Sequence, residues 1–243
     1  MSKLNFQDWI EEKHPQFSSL TEAVILIITR LLKDEGIPFL TIAGRTKSVA
    51  DCLNKSRRKS YKNPTQQMTD ISGVRIVVYF DYDVDRVSDI IEQNFAVDEN
   101  NSSNRDDLLL VNEVGYRSMH FVCDLGEDRV RLKENELLRG LKFEFQVRTV
   151  LQHAWAELAH DRNYKFTGQL PKPIERKLFL LAGLMETADN GFSELSKEID
   201  SYVDSISTSA AKGRLDIIIA DVRNPRQAPN HSQPASRTTP RAF

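Results

Sequence analysis

Residues 142–164, KFEFQVRTVLQHAWAELAHDRNY, decide the fold, because their apolar spacing changes from two residues to a helical period within one short segment. From Phe143 to Arg148, apolar side chains alternate strictly with an acid, an amide and a guanidinium. Successive side chains of a strand point to opposite faces of the sheet. The alternation therefore predicts a strand with one buried face and one polar face. The helical spacing that follows predicts a helix over Val150–Asn163.

The rest of the chain predicts alternating helices and strands. Helices are expected at 19–35, 49–59, 84–94 and 173–205, and strands at 39–43, 71–80 and 118–125, with a further candidate at 108–111. A capping box of Ser19 and Glu22 is expected to begin the first helix, and Asp81 to cap the helix at 84–94. This order predicts an α+β fold in which helices pack on a mixed β-sheet.

Composition shifts divide the chain into four regions. They are an N-terminal helical region (1–38), a core (39–170), a C-terminal helical extension (171–222) and a tail (223–243). The tail is rich in Pro, Ser and Arg, so we expect it to be disordered, because it has too little apolar surface to offset its ordering entropy.

The overall composition is that of a globular protein, with 40% hydrophobic and 28% charged residues and a formal net charge of -2. Such a balance gives no global field toward nucleic acid or membrane. The longest apolar run, 23–28, is too short to span a bilayer, and acids near the N-terminus exclude a signal peptide. Two cysteines are too few for a disulfide framework. We expect a cytoplasmic protein without membrane contact.

A basic segment follows the first predicted strand. Gly44-Arg45-Thr46-Lys47-Ser48 leads into a helix that carries Lys55 and further cations. A glycine at a strand end lets backbone amides approach an anion, and Lys and Arg hold phosphate oxygens. The segment lacks the glycine spacing of a Walker A loop. By itself it is equally compatible with phosphate binding and with a solvated basic helix face.

Two further segments place polar groups on strands. Asp70 stands at the mouth of the strand from which Arg75 emerges, a position suited to a hard cation such as Mg²⁺, although a turn cap paired with Arg75 is the simpler interpretation. Strand alternation places Tyr116, Ser118 and His120 on one face, where the tyrosine ring can stack on a nucleobase or pack as a core tyrosine. Glu144 is a candidate metal ligand or general base.

The helix at Val150–Asn163 and the residue after it carry four polar side chains at helical spacing, namely His153, Glu157, His160 and Tyr164. The HExxH order of a zinc protease is absent, and no third ligand cluster accompanies them. We interpret them as a partly buried polar seam.

Taken together, four segments resemble the synthetase domain of the RelA/SpoT family. They are AGRTKS (43–48), MTDISGVRIV (68–77), VGYRSMHFV (114–122) and FEFQVRTVLQHAWAELAHDRNYK (143–165), and the similarity covers roughly 39–165. The resemblance implies a nucleotidyltransferase-type sheet and transfer of the β,γ-pyrophosphate of ATP to the 3′-hydroxyl of GDP or GTP, which yields (p)ppGpp and AMP.

The resemblance also implies roles for individual residues. The ATP-binding positions are Arg45, Lys47, Ser48, Lys55 and Arg75, with the two arginines on either side of adenine. The acceptor-binding positions are Tyr116, His120 and Gln146. Asp70 and Glu144 match the catalytic carboxylates that hold Mg²⁺, and Glu144 also matches the proposed base toward the 3′-hydroxyl.

Two positions depart from the family pattern and leave the acceptor open. Asn112 stands where alarmone-forming members often carry a lysine, and Val114 precedes the glycine of the GYRS segment. A toxic subgroup with a similar segment modifies the 3′ CCA end of tRNA, which makes tRNA an alternative acceptor and an antitoxin protein a conceivable partner. The resemblance also leaves a homo-oligomer open.

Overall fold

The structure, a computed structural model, describes residues 5–104, 118–163 and 171–210. Its helices are α1 (Phe6–Asp34), α2 (Val49–Lys59), α3 (Pro64–Gln67), α4 (Asp81–Asn94), α5 (Glu127–Val130), α6 (Val150–Asn163) and α7 (Lys172–Ala210), with a 3₁₀ turn at Lys133–Leu138. Its strands are β1 (Phe39–Thr46), β2 (Ser72–Val78), β3 (Ala96–Val97), β4 (Ser103–Asn104), β5 (Met119–Asp124) and β6 (Phe143–Thr149).

The described strands form one mixed sheet in the order β1-β2-β6-β5-β3, with β4 also paired to β5. Strands β2 and β6 run parallel, and the other neighbours are antiparallel. The last of the described strands along the chain, β6, therefore lies in the middle of the sheet. The predicted mixed α+β sheet with helices packed around it and a C-terminal helix is confirmed.

Strand β6 has the two faces that its alternation predicts. Phe143, Phe145 and Val147 are fully buried, and the residues between them are partly exposed. The two phenylalanine rings meet edge to face with centroids 5.1 Å apart, a favoured aromatic geometry. Helices α1 and α4 contact the sheet and contribute to the same core. The polar face of β6 is thus left available for a site.

The first helix begins much earlier than predicted, which corrects the capping box at Ser19. Asn5 caps α1 by accepting a hydrogen bond from the Asp8 amide, and the helix continues through Pro15. Proline in a helix interior costs a backbone hydrogen bond. Here Ile10 and Phe17 bury their side chains on both sides of the proline, so packing of the amphipathic face outweighs that cost.

Helix α4 also begins differently from the prediction. Phe80 occupies the N-cap position, and Asp81 is the first residue of the helix rather than its cap. The Asp81 amide donates to Ser193 Oγ of α7 at 3.1 Å, so a side chain from another helix satisfies one of the free amides of the first turn.

The chain divides into two compact units, residues 1–193 and 194–243. In the first unit, Asp189 of α7 accepts a buried hydrogen bond from Thr149 Oγ1 at 2.5 Å. The described part of the second unit is the helical segment 194–210. No helix in the described ranges combines the length and apolarity needed to cross a bilayer. The strand candidate at 108–111 and the tail at 223–243 lie outside the described residues.

Candidate active site

The register of the sheet collects the polar side chains of three strands on one face. Arg45 of β1 lies opposite Gly73 of β2, and Gly73 lies beside Glu144 of β6. Arg75 lies beside Gln146 in the same parallel pair. Paired residues share a face of the sheet, so all five positions line one surface.

An open cleft of about 600 Å³ lies over this face. Its lining residues come from β1, β2, β6, α6 and the connections that precede α2 and β2. They are Ala43, Gly44, Arg45, Lys47, Asp70, Gly73, Val74, Arg75, Glu144, Gln146, Arg148, Ala156 and Glu157. Six of the ten residues assigned by resemblance therefore line one cavity, namely Arg45, Lys47, Asp70, Arg75, Glu144 and Gln146.

Asp70 is held at the edge of the cleft by two lysines. Its Oδ2 lies 2.8 Å from Lys47 Nζ and 2.5 Å from Lys55 Nζ, and all three side chains are about one-fifth exposed. Burial alone would raise the pKa of Asp70, but hydrogen bonds and charge from the two lysines lower it below its ordinary value. Asp70 is therefore ionised at neutral pH and presents a carboxylate to the cleft.

The two candidate carboxylates fit a hard divalent cation. Both line the same cleft, and Asp70 Oδ1 is buried without a hydrogen-bond partner among the described residues. In the described ranges, no group of three or more His, Cys, Asp and Glu side chains is arranged so that it could hold a metal ion. Magnesium commonly uses only one or two protein carboxylates and completes its shell with water and phosphate oxygens. The donor set is thus compatible with Mg²⁺ and incompatible with a closed zinc site.

The two arginines that flank the cleft are each paired with an acid. Arg45 Nη2 lies 3.2 Å from Asp51 Oδ2, and Arg75 Nη1 lies 2.8 Å from Glu157 Oε1. These exposed pairs contribute little stability. An ion pair uses the edge of a guanidinium group and leaves its flat faces free for stacking.

Ser48 and Lys55 do not line the cleft directly. Ser48 is the N-cap of α2 and accepts a hydrogen bond from the Asp51 amide at 3.1 Å, while Lys55 reaches the site through Asp70. The start of α2 beside Lys47 still gives this edge the partial positive charge that favours anions. Tyr116 lies outside the described residues.

His120 reaches the cleft face from β5. Its Nδ1 contacts Glu144 Oε1, and its Nε2 lies 2.7 Å from Ser118 Oγ. His120 lies opposite Gln146 in the register, so Glu144 is its diagonal neighbour on the same face. Sequence reasoning placed His120 and Ser118 on one face, but their contact with Glu144 depends on strand pairing.

Two residues of the polar seam on α6, His153 and Glu157, lie at the site. Glu157 pairs with Arg75, and His153 Nδ1 lies 3.8 Å from Glu157 Oε1. Burial, reinforced by the charges of Arg75 and Arg148, lowers the pKa of His153 despite the opposing effect of Glu157. His153 is therefore neutral at physiological pH. Helical spacing predicted that His153 and Glu157 lie close together. Their proximity to Arg75 depends on the sheet, which places Arg75 on the face next to α6.

Close packing behind the cleft explains Gly44. A Cβ atom at this position would lie 2.4 Å from Ile25 Cδ1 and 2.6 Å from Thr21 Cγ2 of α1. Thr21 Oγ1 also lies 2.8 Å from Thr46 Oγ1 and 2.7 Å from Ser72 Oγ, which ties α1 to the ends of β1 and β2. Sequence reasoning assigned Gly44 to anion approach and missed this packing requirement.

The start of α6 is fixed by a capping box that sequence reasoning missed. The Gln152 amide donates to Thr149 Oγ1 at 3.1 Å, and the Thr149 amide donates to Gln152 Oε1 at 3.0 Å. The signal is present in the sequence as Thr-x-x-Gln at the strand-to-helix junction. Through this cap, the end of β6 sets where Ala156 and Glu157 enter the cleft.

Comparison with known proteins identifies the family. The model described as "Region found in RelA / SpoT proteins" matches residues 44–169. The chain is also 31% identical over 170 residues to GTP pyrophosphokinase YjbM of Bacillus subtilis strain 168. The aligned region covers 69% of this chain and 76% of that protein. The chain therefore belongs to the RelA/SpoT family.

Solved structures of similar proteins share the fold. Small alarmone synthetase 2 of Bacillus subtilis superposes with a TM-score of 0.66 at 25% identity, covering 79% of this chain and 99% of that one. Small alarmone synthetase 1 of the same organism, bound to its product pppGpp, gives a TM-score of 0.65 at 26% identity and covers 80% and 99% of the two chains. The expected relation to the synthetase domain is confirmed.

Proposed function

We propose that this protein is an ATP-dependent pyrophosphokinase that converts GDP or GTP to ppGpp or pppGpp and releases AMP. The observation that carries the proposal is the similarity to relatives named GTP pyrophosphokinase over three-quarters of their length, together with a cleft that gathers both candidate carboxylates and the basic residues. Their names support the same reaction for this chain.

In the proposed reaction, the 3′-hydroxyl oxygen of the acceptor attacks the β-phosphorus of ATP. The new bond joins that oxygen to the β-phosphorus, and the bond to the α,β-bridging oxygen breaks, so AMP leaves with the bridging oxygen. Phosphoryl transfer of this kind depends on in-line positioning and charge stabilisation rather than on covalent chemistry by the protein. A cleft lined by carboxylates and guanidinium groups meets those requirements.

The donor binds, in this proposal, at the edge formed by β1, β2 and α2. Arg45 and Arg75 stack on the two faces of adenine. Their ion pairs use the edges of the guanidinium groups and leave the flat faces free for this stacking. Lys47 and Lys55 bind phosphate oxygens of ATP, and Ser48 presents the start of α2 to them. Both lysines already hold Asp70, so they lie next to the proposed cation site.

The acceptor binds on the β5 and β6 side, where Gln146 and His120 lie opposite each other in the register. The family resemblance assigns Tyr116 to stacking on the guanine base. Glu144 accepts the proton that leaves the 3′-hydroxyl as the new bond forms. Its position beside Gly73, the smallest residue, leaves room for a ribose over the sheet.

Asp70 and Glu144 would hold Mg²⁺ in this proposal, and the ion would supply charge stabilisation for the pyrophosphate oxygens. Asp70 Oδ1 is suited to this role because it is buried, ionised and without a hydrogen-bond partner among the described residues. Loss of transfer in EDTA and recovery with added Mg²⁺ would test this assignment.

The acceptor experiment separates nucleotide from tRNA modification. The full chain is incubated with ATP labelled at the β-phosphate, Mg²⁺ and one acceptor at a time: GDP, GTP, ATP or tRNA. We expect labelled ppGpp and pppGpp, with AMP released in equal amounts, and no label on tRNA. The similar proteins favour the nucleotide acceptors. Transfer to tRNA alone would replace this proposal with the alternative, and no transfer to any acceptor would refute both.

A further inference from the structure

Three side chains form a continuous hydrogen-bonded chain beneath the acceptor side of the cleft. Ser118 Oγ lies 2.7 Å from His120 Nε2, and His120 Nδ1 contacts Glu144 Oε1. Ser118 is 7% exposed and His120 is 8% exposed. Both ring nitrogens of His120 are therefore engaged by protein groups in a nearly buried setting.

The chemistry of the partners sets the direction of each hydrogen bond. An ionised carboxylate only accepts, so His120 must donate from Nδ1–H to Glu144 Oε1. In the neutral ring, Nε2 is then an acceptor, and the Ser118 hydroxyl donates to it. The tautomer of His120 is thus selected by Ser118 on one side and Glu144 on the other.

This arrangement leaves the two oxygens of Glu144 with different tasks. Oε1 is occupied by His120, whereas Oε2 is the oxygen left for the acceptor 3′-hydroxyl or a cation. A carboxylate on a flexible stem rotates unless a hydrogen bond fixes it, and groups that orient a reacting side chain are commonly worth 10- to 100-fold in activity. A carboxylate held in one orientation also lowers the entropic cost of reaching the in-line geometry that the transfer needs.

We propose that His120 is a positioning residue that orients Glu144, and that Ser118 keeps His120 in the Nδ1–H tautomer needed for that task. The inference rests on the proposed function of Glu144 as the group that accepts the 3′-hydroxyl proton. It assigns to His120 a role through Glu144 rather than a contact with the acceptor nucleotide. Ser118, which had no assigned role, acts indirectly by fixing the tautomer of His120.

The tautomer itself is measured by ¹⁵N NMR on the full chain with labelled histidine, with no substrate or metal present. The chain has five histidines, and the spectrum of His120→Asn assigns the missing resonance. We expect Nδ1 of His120 to carry the proton in the natural protein and Ser118→Ala to shift the ring toward the other tautomer. A proton on Nε2 in the natural protein, or no change in Ser118→Ala, would overturn the proposal.

Kinetics of two isosteric variants test the positioning role. The amide of Asn can replace the Nδ1 donor, whereas that of Gln reaches the position of Nε2. We expect His120→Asn to retain most of kcat and His120→Gln to lose about 10- to 100-fold, with the KM for GTP changed by less than about threefold in both. Equal kcat losses, or a raised KM for GTP at natural kcat, would assign His120 to acceptor contact and refute the proposal.

The two parts of the experiment also separate this inference from the proposed function. If the natural protein transfers no pyrophosphate, the proposed function fails, but the NMR result still decides whether the Ser118–His120–Glu144 chain exists. If transfer is normal and the tautomer is wrong, only the positioning role fails. Circular dichroism of each variant, expected to match the natural protein, confirms that any loss is not due to unfolding.

Discussion

Replacing Gly44 by alanine tests the packing of α1 behind the cleft. The added methyl group would lie 2.4 Å from Ile25 Cδ1 and 2.6 Å from Thr21 Cγ2, both far inside van der Waals contact. The tip of Ile25 can rotate away at small cost. Thr21 cannot, because its side chain is buried and its hydroxyl contacts Phe17, Thr46 and Ser72.

The expected magnitude follows from two opposing effects. Overpacking a core by one methyl group costs about 1–3 kcal/mol. Replacing glycine by alanine restores about 0.5–1 kcal/mol by reducing the freedom of the unfolded chain. Taking the middle of each range, we expect Gly44→Ala to lower the free energy of unfolding by about 1 kcal/mol.

The assay is urea denaturation at equilibrium, followed by tryptophan fluorescence, because Trp9 of α1 packs edge-on against Phe17 with ring centroids 6.0 Å apart. Gly73→Ala is the matched control, since it is also a sheet glycine and its Cβ would meet only backbone oxygens at 3.9 Å. We expect the control to have a midpoint equal to or above that of the natural protein, with an unchanged m value.

The same two variants should separate stability from binding. The methyl group of Gly73→Ala enters the floor of the cleft beside Glu144, so this variant should bind ATP or GTP more weakly although its fold is intact. Gly44→Ala should bind both normally once it is folded. Equal stability of Gly44→Ala and the natural protein would refute the close-packing argument.

Three other changes probe the site and its support. Glu144→Gln should lower kcat about 10²- to 10⁴-fold, the usual contribution of a general base, with ATP affinity by calorimetry unchanged within threefold; natural turnover would remove Glu144 from catalysis. Asp70→Asn, measured by urea denaturation in EDTA, should cost about 1–3 kcal/mol at pH 7. Since the folded pKa of Asp70 lies below the unfolded value, this difference should be complete above about pH 5 and shrink as the pH falls through 4 and below; a difference that grows with acid would contradict the ion pairs. Thr149→Val removes a helix cap and a buried hydrogen bond to Asp189, so it should lower the free energy of unfolding by about 2–4 kcal/mol. The measurement is the melting temperature, and an unchanged value would show that the cap is dispensable.

Local patterns predicted the parts of the fold that depend on neighbouring residues. The alternation around Phe145 predicted both β6 and its buried face, and the bounds of α2 and α6 agree with those expected from helical spacing. Strand β6 is strictly periodic, so its own residues determine which face is buried. Helix α6 has its predicted bounds, but Leu158 of its apolar spacing is exposed.

Features that depend on distant residues were not predictable in this way. The predicted start of α1 was wrong because it relied on the capping box at Ser19, whereas Ile10 and Phe17 make a longer, continuous helix favourable through contacts in the core. Likewise, its place at the mouth of a strand made Asp70 a candidate ligand, but nothing local could pair it with Lys47, which precedes α2, and Lys55 on α2. The family resemblance supplied residue roles that spacing alone left open.

The central position of β6 has a consequence for how the protein is made. Among the described strands, β6 alone joins the half-sheet of β1 and β2 to the half-sheet of β5, β3 and β4, and it is synthesised after all of them. Long-range pairing of this kind forms late in folding. The ribosome must therefore synthesise residues up to Thr149 before Asp70 and Glu144 can line one cleft, so the cleft cannot form from the first half of the chain alone.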